Sequence, residues 1–200
     1  MPSHVSYGAA MAIQAGRHLF GPAQGRITLR TSRDGLAAQA GHDLTIDIGR
    51  WSGQLAVADD SSPTELRVTA ELGSFVVREG SGGLKPLTDR DKREIAVTAR
   101  NRLRADRYPE ATFTATSFEP GADGGGIIEG MLTLAGQARS ERLQIGQTGP
   151  DRYRATATVH QTDFGIKPYS AFLGSLKVSD AVRVEVEVDL SGGTQQEAAG

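Results

Sequence analysis

Ala181-Val182-Arg183-Val184-Glu185-Val186-Glu187-Val188-Asp189 decides the fold. Valine recurs at every second position with a charge between each pair. That period of two sends valines to one face of a strand and charges to the other, whereas a helix would scatter both around its axis. The same alternation runs upstream. Ile27 and Leu29 alternate with Arg26, Thr28 and Arg30, and Leu44, Ile46 and Ile48 with Asp43, Thr45 and Asp47. Leu55 and Val57 follow a Ser52-Gly53 corner, and Leu66, Val68, Ala70 and Leu72 alternate with Arg67, Thr69 and Glu71. Phe113 and Ala115, then Leu132 and Leu134, then Leu143 and Ile145, then Tyr153, Ala155, Ala157 and Val159 continue the pattern. Glycine, proline and aspartate separate the runs, so about eight or nine strands are predicted, an all-β barrel or sandwich.

One segment reads differently. Thr88 and Asp91 form a capping-box-like start, and Ile95, Ala99 and Leu103 fall at helical spacing, so one helix is predicted over 88–104. A short helical turn is predicted over 34–40. Residues 1–23 show no period and read as a loose arm, 24–190 as one barrel domain, and the Gly/Gln/Ala-rich 191–200 as a disordered tail. Residues 74–91, with Gly80-Ser81-Gly82-Gly83, read as a long connection.

Composition narrows the function. With 200 residues, 38% hydrophobic and 23% charged, the chain has enough apolar material for one core. A net charge of −2 gives no pull toward nucleic acid, and the absence of cysteine excludes disulfides and thiolate chemistry. The first twenty residues hold no basic region followed by an apolar run, so a cytoplasmic location is expected.

An up-and-down barrel removes the open edges that invite aggregation and places the apolar face of every strand inside. Small inward residues such as Ala70, Ala115, Ala155 and Ala157 leave volume in its lumen. Several short motifs then occur in order: Gly41-His42-Asp43-Leu44 with Trp51-Ser52-Gly53, the strand Leu66 to Ser74, and Arg107-Tyr108-Pro109-Glu110-Ala111-Thr112-Phe113. Gly130-Met131-Leu132-Thr133-Leu134-Ala135-Gly136, Thr162-Asp163-Phe164-Gly165-Ile166 and Ser179-Asp180-Ala181-Val182 follow. Together they resemble the YceI-like, lipocalin-like polyisoprenoid-binding proteins over about 25–190. The resemblance implies an eight-stranded antiparallel up-and-down β-barrel with one α-helix inserted. It also implies a lumen for an isoprenoid lipid or the tail of an isoprenoid quinone.

The candidate lumen residues are Ile46, Leu55, Val68, Phe113, Ala115, Leu132, Leu143, Val159 and Val184, joined by Phe164 and Phe172. His42 at the mouth could donate to a quinone carbonyl. No metal or cofactor is expected, because His4, His18, His42 and His160 form no ligand-spaced cluster. Nucleophile elbows and phosphate loops are absent, so a binding protein rather than an enzyme is expected. The alternatives are an enzyme using His42, His160 and Asp163 at the mouth, or a partner-binding barrel with a filled core. The basic residues Lys92, Arg93, Arg100, Arg102 and Arg104 on the helix allow peripheral contact with an anionic membrane, although interspersed acids favour a solvated face. A homodimer is also allowed.

Overall fold

A computed structural model of the chain describes residues 13–121 and 124–192, apart from the Phe172 side chain. The first strands are β1 (Gly16–Phe20), β2 (Gly25–Thr31) and the short β3 (Arg33–Asp34). Two hairpin arms follow, β4 (His42–Ile48) with β5 (Trp51–Val57), and β6 (Pro63–Glu71) with β7 (Phe75–Gly82). The helix α1 (Asp89–Arg102) leads into β8 (Glu110–Pro120), β9 (Gly126–Leu134), β10 (Gln137–Gly149) and β11 (Arg152–His160). The short β12 (Ser170–Ala171) and β13 (Leu176–Val178) precede the closing strand β14 (Ala181–Asp189).

The pairings close a barrel. β4 and β5 are one long strand bent at Gly49-Arg50, and β6 and β7 are a second, bent at Leu72–Ser74. The two pair along their whole length, from Val57↔Pro63 to His42↔Gly82. β1 and β2 form a third bent strand against the other side of β4–β5, from Gly16↔Val57 to Thr31↔Leu44. With each bent pair taken as one strand, the ring runs β1–β2, β4–β5, β6–β7, β8, β9, β10, β11, β14 and back to β2. This is the antiparallel up-and-down barrel that the resemblance implies, its long strands broken at the corners into more segments than eight.

The bends carry an unusual register. In β4 the inward apolar residues are even-numbered (Leu44, Ile46, Ile48), and in β5 they are odd-numbered (Trp51, Leu55, Val57). β6 and β7 switch in the same way, from Leu66, Val68 and Ala70 to Phe75 and Val77. Each corner therefore shifts the side-chain phase by one residue, which keeps the inner face continuous.

Hydrogen bonds hold the two corners against each other. The Gly49 N–H donates to the Ser74 carbonyl and the Glu71 N–H to the Arg50 carbonyl, both at 2.9 Å. The buried Ser74 hydroxyl accepts from the Arg50 N–H at 2.9 Å and donates to the Glu71 carbonyl at 2.7 Å.

The bend also leaves β7 without a partner on the side where β6 pairs with β8, and α1 packs there. Thr88 caps α1 through the expected box: its hydroxyl accepts from the Asp91 N–H, and the Asp91 carboxylate accepts from the Thr88 N–H at 2.8 Å. Ile95, Ala99 and Leu103 face the barrel core, as their spacing requires.

Three local expectations are corrected. Within the expected arm, Gly16–Phe20 is a strand. Its inward residues are Phe20 and a buried histidine, His18, whose Nε2–H donates to the Gln14 carbonyl at 2.7 Å, so apolar alternation could not show it. The expected long connection contains β7, whose outer half turns polar after Val77 and whose pairing is offset by a bulge near Ile46. The expected helical turn over 34–40 is a three-residue 3-10 turn, Ala38–Ala40, with Asp34 ending β3. β12, β13 and β3 form a separate small sheet across one end of the barrel. Of the expected tail, residues 193–200 lie outside the described residues, as does His4.

Ser74→Ala should therefore cost about 1 kcal/mol, because it removes the acceptor of the part-buried Arg50 N–H and the donor to the Glu71 carbonyl. Urea unfolding checks this, with the exposed Ser52→Ala change as a control expected to move stability by less than about 0.5 kcal/mol.

Candidate functional site

The inner faces enclose a cavity of about 1230 Å³. Its wall is the alternation itself: Ile46, Leu55, Val68, Phe113, Leu132, Leu143, Val159 and Val184 all line it, with Ala70, Ala155 and Ala157 between the larger side chains. At one end the lining is Ile13, the Asp60–Pro63 turn and residues 118–121 and 124–128. At the other it passes α1 and reaches His42, Arg33, Lys85, Tyr169 and Lys177.

Two sequence candidates sit elsewhere. Ala115, half-buried opposite Gly130, does not line the cavity. A bulge follows it, after which Phe118 takes the lining position. Phe164 is fully buried in a second cluster with Ala135, Val159 and Ile166, where it closes the barrel end. Gly165, at φ +67, supplies the left-handed turn that lets the chain leave that plug. The Phe172 side chain lies outside the described residues.

Aromatic rings on bare backbone shape the wall. The Phe113 ring lies over Gly130, and the Phe20 ring over Gly53, where a Cβ would overlap the ring. Phe20 also meets Trp51 edge-on, with ring centroids 6.0 Å apart.

The mouth carries the polar groups. His42 Nε2 lies 2.8 Å from the Lys85 carbonyl, which can only accept, so Nε2 carries the proton. In the neutral ring Nδ1 is then an acceptor. That changes its expected chemistry: neutral His42 suits a hydroxyl donor rather than a quinone carbonyl. His160 instead pairs with Asp180, at 3.3 Å, and neither His160 nor Asp163 lines the cavity. The structure therefore does not gather His42, His160 and Asp163 around one reacting centre. Among the described residues no cluster of three or more His, Asp or Glu could hold a metal.

Glu141 is a polar lining residue on the barrel wall that sequence reasoning missed. It lines the cavity, half-buried, inside a strand read only for Leu143 and Ile145. Burial raises its carboxyl above the ordinary glutamate value, Asp163 adds to the rise and His160 opposes it. The inward phase of Leu143 was the signal, since Glu141 lies two residues before it.

The comparisons with known proteins agree with this geometry. The sequence profile of the YceI-like domain matches residues 21–190. The chain belongs to the YceI-like family. The solved structure of Burkholderia cenocepacia BcnA shares the fold at 14% identity, covering 82% of this chain and 94% of that one, with a TM-score of 0.57. A mutant Campylobacter jejuni YceI protein made for nanotechnology applications is 19% identical, covering 72% of this chain and 81% of that one, with a TM-score of 0.51. No curated protein sequence matches the chain. Among the described residues no helix of this YceI-like protein is long and apolar enough to cross a membrane.

The Glu141 environment sets a pH dependence. A carboxyl whose folded pKa is raised binds its proton more tightly in the folded state. Its stabilising effect is complete below the ordinary glutamate pKa and is lost as pH rises through the folded value. Glu141→Gln should thus raise the melting temperature at neutral pH, and the gain should vanish as pH falls to about 4. Thermal unfolding across that range reads it directly.

Proposed function

We propose that this YceI-like barrel binds a long isoprenoid lipid, or the tail of an isoprenoid quinone, in its lumen, and stores or transports it without chemical conversion. The carrying observation is the continuous apolar cavity of about 1230 Å³. At about 30 Å³ per heavy atom in a liquid, this volume suits on the order of 40 heavy atoms, a chain of about eight isoprene units. Each buried methylene contributes about 0.8 kcal/mol, so a chain of this length needs no polar anchor to bind tightly. The proposed contacts are Ile46, Leu55, Val68, Phe113, Leu132, Leu143, Val159 and Val184, with His42 accepting from a headgroup hydroxyl at the mouth. A cavity of this size disfavours a filled structural core, and the separation of His42 from His160 and Asp163 disfavours acid–base catalysis. The source and destination of such a ligand is a bilayer, so contact with an anionic membrane belongs to this reading.

Organic extraction of the purified protein followed by mass spectrometry tests it. An isoprenoid of about 40 carbons in stoichiometric yield is expected, and an extract free of isoprenoid would overturn the reading. Ala157→Leu adds volume to the lining without adding charge. It should shorten or expel the ligand while the melting temperature holds.

Charge placement gives a second expected outcome. Phe113→Asp, on the cavity wall, should abolish lipid retention, because a buried carboxylate there loses hydration with no partner. The exposed Thr114→Asp should leave it unchanged. Equal retention in the two folded variants would place the ligand outside the lumen.

A further inference from the structure

The His42 end of the barrel carries a second pattern. Leu36 and Leu173 are fully exposed, Leu84 is 82% exposed, and Tyr169 is 40% exposed. Scattered exposed leucines need no explanation, but these gather at one rim. The small sheet β12–β13–β3 brings the first two together: the Ala37 N–H donates to the Ser175 carbonyl at 2.8 Å, and Gly35 lies against the same carbonyl. Leu36 lies between those two contacts, and Leu173 is two residues before Ser175. The Leu84 loop is tied to the same end, with Gly82 against the Arg33 guanidinium, Gly83 against the His42 ring, and the Lys85 carbonyl on His42.

Backbone geometry sharpens the observation. Leu173 sits at φ +55, ψ 32, in the left-handed region that a leucine rarely adopts. A fully exposed apolar side chain on a strained turn gains nothing from the fold it belongs to.

Cations stand beside these leucines. Lys85 follows Leu84 directly, and the Lys177 stem lies 3.5 Å from the Cβ position of Gly174, next to Leu173. Lys167 is exposed nearby, its carbonyl 3.5 Å from Arg102, and Arg102 stacks over Tyr169 at 5.7 Å. Among the described residues Lys85, Lys167 and Lys177 enter no ion pair. Of the acids at this end, Asp43 pairs with Arg33 and Glu94 with Arg90, and Asp91 and Asp34 are hydrogen-bonded to Thr88 and to the Gly35 N–H.

We propose that the rim formed by Leu36, Leu84 and Leu173, with Lys85, Lys167 and Lys177, docks the cavity mouth onto an anionic lipid bilayer. The leucines enter the acyl boundary while the lysines meet lipid phosphates. Rim and cavity are continuous, because Leu84, Lys85, Tyr169 and Lys177 also line the cavity. Docking there places the opening of an apolar lumen on the phase that holds an apolar ligand. The choice of a bilayer over a protein rests on this continuity and on the pairing of loop-tip leucines with free lysines. The inference rests on the lipid-binding reading above for its purpose, but not for its measurement.

Flotation with vesicles of phosphatidylcholine containing about 30% phosphatidylglycerol tests it on the whole chain. Binding that weakens with salt and is far weaker on pure phosphatidylcholine is expected. The triple change Leu36→Ser, Leu84→Ser, Leu173→Ser should lower partition about tenfold or more, with the melting temperature unchanged. Lys85→Glu with Lys177→Glu should remove the salt dependence. The chain has no cysteine, so a Leu84→Cys variant carries a single environment-sensitive dye. Its emission should shift to the blue on vesicles, and that of Asp59→Cys, in the turn between β5 and β6, should not. No flotation of the wild type, full flotation of the folded triple variant, or equal shifts from both dyes would overturn the proposal. So would a wild-type dimer that the triple variant converts to a monomer without any vesicle binding. Mass spectrometry of the extract is scored separately. An isoprenoid in a protein that ignores vesicles defeats docking alone, and docking by a protein without isoprenoid defeats the ligand reading alone.

Discussion

Everything in this barrel depends on the double corner where Gly49-Arg50 meets Leu72–Ser74. A long antiparallel hairpin left straight would be flat, with one half unable to face the remaining strands. The corner turns the β4–β7 half toward β2 and leaves the β5–β6 half beside β8. One hairpin thus supplies both ends of the sheet and closes it. The Ser74 hydroxyl satisfies the Arg50 N–H at the place where the ladder is interrupted. The phase shift at each corner is equally necessary. Without it Ile46 and Leu55 could not face the same cavity, because side-chain phase is fixed along an unbroken strand.

The sequence displayed whatever depends on period. The valines of β14 and the Ile95, Ala99 and Leu103 face of α1 mark their elements because burial is one-sided and regular. The barrel wall followed, since the inward residues of each run are its lining. β1 was hidden because one of its two buried inward side chains is His18, and β7 because its apolar residues stop at Val77 while its outer half is Gly and polar. Both strands owe their place to neighbours distant in sequence, β1 to β5 and β7 to β4, so local composition carries little of their signal.

At the site the limits were finer. Ala115 fits the alternation, but the bulge after it gives the lining position to Phe118, and a bulge leaves no mark in the pattern of apolar residues. Glu141 was invisible for the opposite reason. A charged residue in an alternating strand is read as outward, and only the register fixed by Leu143 and Ile145 turns it inward. His42 lies at a strand entry that the alternation marks, yet its hydrogen-bonding role depends on the Lys85 carbonyl, which the chain brings to it from beyond β7.

The wall and the mouth divide the physical work. Between the corners and the ends, strands are bonded to neighbours on both sides, and parting any pair would strip a whole ladder of hydrogen bonds at once. That makes the wall a fixed volume of about 1230 Å³. Apart from the outer edge of β1, which pairs only with β5, two parts of the structure lack such a ladder to the main barrel. One is the outer edge of β7, covered by α1, a helix with no fully buried residue. The other is the end built from β3, β12, β13 and 3-10 turns, held by a few loop hydrogen bonds and by Arg33 reaching the Gly41 carbonyl at 2.8 Å. Segments with so few ladder bonds open at lower free energy than the strands do. That weakly tied end is therefore where the structure can yield without losing its wall.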